Sequence, residues 1–149
     1  MPNWAVGTRS KGNEGITASI RTTPGSIGYI ELAYAKQNHL SYADVKNAAG
    51  SYITPSIESV TEALASATIP DDFRFSMVNS PGAKAYPIAG ATWLLVYAEQ
   101  KDHAKGEKLV QFLKWAYSDG EKLAPSLDYA PLPDSVVSRA LERVQRIKY

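Results

Sequence analysis

A chain of 149 residues, 44% hydrophobic and 21% charged, has ordinary globular composition and enough length to bury a core of its own. Sixteen basic against fifteen acidic residues leave a net charge of +1, which supplies no whole-chain field for nucleic acid or an anionic membrane. The absence of cysteine excludes disulfides and thiolate metal sites, and no apolar run approaches the roughly 20 residues of a membrane span.

The N-terminus, MPNWAVGTRSKGNEG, lacks the basic stretch followed by an apolar run that marks a secretory signal, so no signal peptide is read in this chain. Trp4 and Val6 read as the inside of a strand rather than a tail. Asn13 is a good N-cap, and Glu14 suits the positive end of a helix carrying Ile16 and Ile20. That helix is expected to stop before Pro24-Gly25. Ser26–Leu32 (SIGYIEL) reads as a strand, and AYAKQ as an added helical turn. YADVKN and SYITP flank Ala49-Gly50, which predicts two short strands joined by a turn.

Ser56 follows Pro55 and is expected to cap a helix with Ile57, Val60, Ala63 and Leu64 on one face. In DFRFSMV, Phe73, Phe75 and Met77 alternate with Arg74 and Ser76, the period of a half-buried strand. NSPGAK is a turn. Thr92–Tyr97 reads as the next strand, and Lys105–Asp119 as a helix with Leu109, Phe112, Leu113, Ala116 and Tyr117 in one stripe, stopped by Gly120. Pro133 and Asp134 open a final helix with Val137, Leu141, Val144 and Ile147 inward. Strands and helices alternate, so the class is α/β.

Two positions punctuate the chain just before Thr92–Tyr97. Pro87 fixes its own φ and pushes Tyr86 out of the helical region, and Gly90 permits angles closed to other residues. This describes either an ordinary loop entering a core strand or a crossover between two bodies. Lys11, Gly12 and Asn13 form a candidate anion site, because backbone N–H groups at a helix N-terminus attract negative charge. Their spacing matches neither a P-loop nor a dinucleotide fingerprint, so no cofactor is implied.

His39 and His103 are the only histidines. No nucleophile elbow accompanies them, and no pair of histidines or carboxylates has metal-ligand spacing on a helix face, so no metal site is read. Asp71-Asp72 reads as the end of a loop. Arg139, Arg143, Arg146 and Lys148 read as a solvated helix face, with Glu142 placed to pair with Arg146. Tyr29, Tyr34, Tyr86 and Tyr117 suit either a cleft or ordinary packing. The residues by themselves thus describe a soluble α/β body without a visible active site.

Longer stretches carry more. KGNEG, TPGSIGYIELAYAKQN, AYPIAGATWLLVYAEQ and VQFLKWAYSDGEKLAPSLDYAPLPDSVV, in this order, resemble the phosphate ABC-transporter substrate-binding proteins (PstS-like). The resemblance runs over nearly the whole chain and over about the C-terminal half of such a protein. It implies a two-lobe periplasmic-binding-protein fold of type II, with phosphate held in the cleft between lobes. Residues 1–86 would be the later part of lobe two, 87–91 a hinge crossover with Tyr86, Pro87 and Gly90 as hinge residues, and 92–149 the C-terminal part of lobe one.

The family's phosphate ligands are a Thr-Phe pair, a Ser, an Asp and an Arg followed by Ser-Gly-Thr. None of these motifs is found here. GTRSKGNEG holds the right residue types in the wrong order, so no phosphate ligand is carried onto this chain. The resemblance implies a non-catalytic part of a phosphate-uptake protein, periplasmic or at the cell surface. It would bind inorganic phosphate only together with the N-terminal half and would dock on a membrane permease. A homo-oligomer or an N-terminal complement is the expected assembly. The alternative is a separately encoded half acting as a structural or interaction module without phosphate binding. A phosphate-handling hydrolase is disfavoured by the missing nucleophile and metal constellation.

Overall fold

The computed structural model describes residues 6–149. The strand expectation at Trp4 lies outside them, and Val6 is exposed. The chain divides into two compact units between Tyr42 and Ala43.

In the first unit, α1 (Gly12–Thr22) stops before Pro24-Gly25 as expected, and α2 (Leu32–Gln37) supplies the added helical turns. The cap differs from expectation. Lys11 stands at the N-cap position, and the Asn13 side chain instead accepts a hydrogen bond from the Glu31 N–H at 3.1 Å. Asn13 thereby ties the start of α1 to the entrance of α2. The strand expected at Ser26–Leu32 is absent. Gly28 lies so close to α1 that a Cβ there would come within 2.8 Å of Ile16 and of Ile20. The segment therefore lies on a helix and forms no ladder, and Ile27 and Tyr29 are left exposed.

The second unit opens on a short hairpin. β1 (Val45–Lys46) pairs antiparallel with β2 (Tyr52–Ile53) in the register Val45 with Ile53 and Lys46 with Tyr52. Gly50 turns the chain with φ +88°, an angle that side chains avoid. α3 (Ile57–Ala65) follows, capped as expected by Ser56. The Ser56 hydroxyl accepts the Ser59 N–H at 3.1 Å, and the Ser59 hydroxyl accepts the Ser56 N–H at 2.8 Å. This reciprocal pair satisfies two otherwise orphaned donors. Ala63 and Leu64 of α3 bury against Met77, Ala85 and Ala89, with Val60, Ile69, Phe75 and Leu132 packed around them.

Two further strand expectations are corrected. Residues 73–77 and 92–97 run as irregular chain. In 73–77 the alternation is real, since Met77 is buried, Phe75 half-buried, and Arg74 and Ser76 exposed. What is missing is a neighbour. A strand satisfies its backbone only through a ladder, and among the described residues pairing is confined to β1 with β2 and to a parallel bridge between Glu99 and Lys148. Leu94, Leu95 and Tyr97 are accordingly exposed, and Val96 alone of this run reaches a core cluster.

α4 (His103–Ala116) is capped by Asp102, whose carboxylate accepts the Lys105 N–H at 3.1 Å. Its buried face is Gly106, Val110 and Leu113. Phe112, expected inward, is 55% exposed, because the buried face runs through Gly106, Val110 and Leu113 and turns away from it. Gly106 is tightly faced by Tyr149 and Gln100, which leaves no room for a side chain. A 3₁₀ helix, Glu121–Leu127, leads to α5 (Asp134–Val144). Val144 joins Val110 and Leu113 in a second core cluster, with Ile147 beside it; Val136 is buried where Val137 was expected. Among the described residues no helix is long and apolar enough to cross a membrane.

Candidate functional site

The candidate anion site at the start of α1 holds a carboxylate of its own. Glu14 lies over Gly12, where a Cβ would meet its Oε2 at 2.8 Å. The Tyr34 hydroxyl donates to Glu14 Oε1 at 2.9 Å. Its own backbone N–H, and after it the Tyr34 hydroxyl, hold the Glu14 carboxyl below its ordinary value. The same bond, and the negative charge beside it, raise the Tyr34 phenol. Lys11 is exposed, Asn13 is committed to Glu31, and an incoming anion would meet the Glu14 carboxylate, which already takes up its own N–H. Glu14, Thr17, Arg21, Tyr34 and Asn38 line an open cleft of about 200 Å³ in the same unit.

The crossover candidates sit in firmer surroundings. The Tyr86 N–H donates to the Ser59 carbonyl of α3 at 3.0 Å, and the Pro87 carbonyl accepts the Asn79 N–H at 2.8 Å. Buried Asn47 donates from Nδ2 to the carbonyls of Gly82, Ala83 and Ala85 at 3.3, 3.0 and 3.2 Å. Burial, then the Asp44 charge, raise the Tyr86 phenol. Tyr86 is thus tied to α3 and Pro87 to Asn79, while the residues just before them are tied to the hairpin turn through Asn47. Gly90 is exposed, and a Cβ there would meet nothing within 4 Å. It does not adopt positive φ, so the angles glycine alone permits are not used at this position. Ala89 before it is buried in the core, and Ala91 after it packs against the same cluster.

Sequence reasoning missed two features. One is Asn47, read as part of a turn flank and found as a buried hub. The other is the basic face of α5. Arg139 does not simply face solvent: it donates to the carbonyls of Ile69 at 3.0 Å and Pro70 at 2.8 Å and pairs with Asp71 at 3.3 Å. Arg143 donates to the Asp71 carbonyl. The guanidinium of Arg139 stands 5.0 Å over the Phe73 ring. The partners lie about 70 residues apart, beyond the reach of local pattern.

His39 follows the last turn of α2 with φ 53°, and His103 opens α4 with its ring edge-on to Tyr149 at 5.4 Å. Among the described residues no three His, Asp or Glu side chains converge as a metal site. Tyr29 is exposed, and Tyr117 is raised by burial and then by the Glu121 charge.

Comparison with known proteins assigns the chain. A family model described as a PBP superfamily domain matches residues 2–120. The chain is 39% identical over 138 residues to the phosphate-binding protein PstS of Xylella fastidiosa (strain 9a5c), covering 91% of this chain and 38% of the relative. Against PstS of Haemophilus influenzae it is 36% identical over 137 residues, covering 91% and 41%. Against PstS of Methanocaldococcus jannaschii it is 34% identical over 167 residues, covering 98% and 42%. The chain spans about two-fifths of the length of these relatives. With helices and a small sheet in keeping with the expected α/β class, and with the family match running over most of its length, the chain belongs to the PBP superfamily.

Proposed function

We propose that the chain is part of a phosphate-binding protein that serves uptake by an ABC transporter, and that its role is non-catalytic. The observation that carries this reading is the 39% identity to a PstS protein over 91% of the chain. In this reading the chain is the C-terminal half of a two-lobe protein, acting in the periplasm or at the cell surface. Residues 1–86 belong to lobe two and 92–149 to lobe one. Tyr86, Pro87 and Gly90 form the hinge crossover, a role favoured by the pinning of Tyr86 and Pro87 on one side and the open surroundings of Gly90 on the other. Phosphate is held only with the N-terminal half, and the closed form docks on the membrane permease. Closure follows from tighter binding of the ligand to the closed state.

The test is a chimera that joins residues 6–149 to the N-terminal portion of Xylella fastidiosa PstS. Calorimetric titration with inorganic phosphate is expected to give a one-to-one isotherm. A folded chimera that takes up no phosphate would overturn the reading.

A further inference from the structure

The loop before Phe75 holds a feature that the phosphate reading does not use. Phe73 adopts φ +60°, a left-handed backbone that a bulky aromatic residue seldom occupies. Such a conformation persists only where the surroundings over-determine it. Three contacts do so here. The Phe73 N–H donates to the Pro70 carbonyl at 3.1 Å. Arg139 of α5 stands over the ring at 5.0 Å while its guanidinium holds the carbonyls of Ile69 and Pro70. The Phe73 carbonyl accepts the Trp93 indole N–H at 2.8 Å. Trp93 also meets Phe75 edge-on at 5.5 Å. Trp93 lies in the irregular run 92–97, which has no ladder to hold it.

We propose that Phe73 is a conformational latch through which α5 positions the segment that follows the crossover. With Arg139 in place, the ring is clamped and the left-handed backbone aims the Phe73 carbonyl at Trp93. Without Arg139 only the Phe73 N–H bond to Pro70 and the Trp93 indole bond oppose relaxation of Phe73 to negative φ, which turns its peptide plane and withdraws the carbonyl. Trp93 then loses its acceptor although Arg139 is not its hydrogen-bond partner. The coupling is reciprocal, so loss of the Trp93 indole donor loosens the turn around Phe73. Arg139 and Trp93 are positioning residues in this scheme, both after residues 87–91 in sequence, whereas Phe73 precedes them.

The test uses NMR of the isotopically labelled 149-residue chain, with Arg139→Met, Trp93→Phe and Phe73→Asn variants. Trp93→Phe also identifies the Trp93 indole signal among the three tryptophans. Arg139→Met is expected to move that indole proton to the position of a solvent-bonded indole. Trp93→Phe is expected to speed exchange of the Phe73 amide about tenfold or more, the signature of a local opening. Phe73→Asn tolerates the left-handed backbone without a ring to clamp, so adding Arg139→Met to it should move the indole signal no further. An unmoved indole signal in folded Arg139→Met would overturn the latch. Should that variant fail to fold, an unchanged Phe73 amide in Trp93→Phe would overturn it equally.

Discussion

The side-chain nitrogen of Asn47 lies 3.2 Å from the carbonyl oxygen of Ala85, 38 residues further along the chain. The same nitrogen reaches Gly82 and Ala83, and Asn47 Oδ1 accepts the Ser51 N–H at 3.1 Å. One buried amide therefore closes the hairpin turn and holds the approach to Tyr86-Pro87. Asn47→Ala leaves several buried carbonyls and one N–H without this partner. Each buried unpaired group costs about 1–3 kcal/mol, so a loss of about 3 kcal/mol is expected in urea unfolding, with relaxation absorbing part of the sum. Asn47→Asp removes the donor and sets a carboxylate against carbonyl oxygens. It should lower the midpoint further, and a wild-type midpoint in either variant would show that the hub is dispensable.

The cap of α3 gives a smaller and separable effect. Ser56→Ala removes the acceptor of the Ser59 N–H and should cost about 1 kcal/mol, the usual worth of an N-cap. Ser59→Ala removes the other half of the box and a hydroxyl that also donates to the Thr54 carbonyl at 3.0 Å. Because both act on one hydrogen-bonded unit, the double variant should lose less than the sum of the two singles. Additive losses would mean that the two serines act independently.

The pair Glu14 and Tyr34 predicts a pH signature with two arms. Glu14 is depressed in the folded chain, so its contribution to stability is present above the ordinary glutamate value and fades as pH falls through the lowered one. Tyr34 is raised, so its contribution is present below the ordinary tyrosine value and fades as pH rises through the raised one. Spectrophotometric titration, with Tyr34→Phe as the difference reference, should show a late-titrating phenol. Glu14→Gln removes the charge that causes the shift and should bring that phenol back toward the ordinary range. A titration curve indifferent to Glu14→Gln would show that the contact is not formed in solution.

What the sequence made legible is local. The Ser56 cap, the hairpin around Gly50 and the helices α4 and α5 each rest on residues within one or two turns of one another, and pattern alone locates them. The burial rhythm of Phe73, Phe75 and Met77 was legible too. Whether that rhythm becomes a strand depends on a neighbour that no local pattern encodes, and the same holds for Thr92–Tyr97. Asn47 and Arg139 were illegible for the same reason, since their partners are backbone carbonyls 35 to 70 residues away. A carbonyl belongs to every residue and leaves no mark in a sequence. Of the candidate anion site, the helix was legible. The occupation of its N-terminus by Glu14 was not, although Glu14 had been placed there as a favourable charge.

Phosphate binding by the chain alone is expected to be weak. The recurrent ligand motifs of the resembled family are missing, and the Glu14 carboxylate lies over Gly12. Calorimetry at neutral pH should reveal no micromolar site in the 149-residue chain. Should one appear, Lys11→Ala and Glu14→Gln would localise it: a site at α1 weakens with the first and strengthens with the second, because the internal carboxylate competes with the incoming anion.

The exposed run at 92–97 predicts association. Leu95 is 96% and Tyr97 85% exposed, with Leu94 beside them. Adjacent residues of an extended chain point to opposite faces, so Leu94 and Leu95 present apolar surface on both sides of the same segment. A segment apolar on both faces is what a strand buried between layers requires, and a free edge of that kind recruits another chain. Ile27, 99% exposed, and Tyr29 present apolar surface on one face of another extended segment, in the first unit. The isolated chain is therefore expected to self-associate as its concentration rises, and light scattering coupled to size exclusion measures this directly. Leu94→Lys and Leu95→Lys together should shift it toward monomer without loss of helix signal, because neither residue belongs to the two buried clusters. A wild-type chain that stays monomeric at high concentration and melts cooperatively would show that these apolar groups are tolerated in water, and that the proposed need for a completing chain is mistaken.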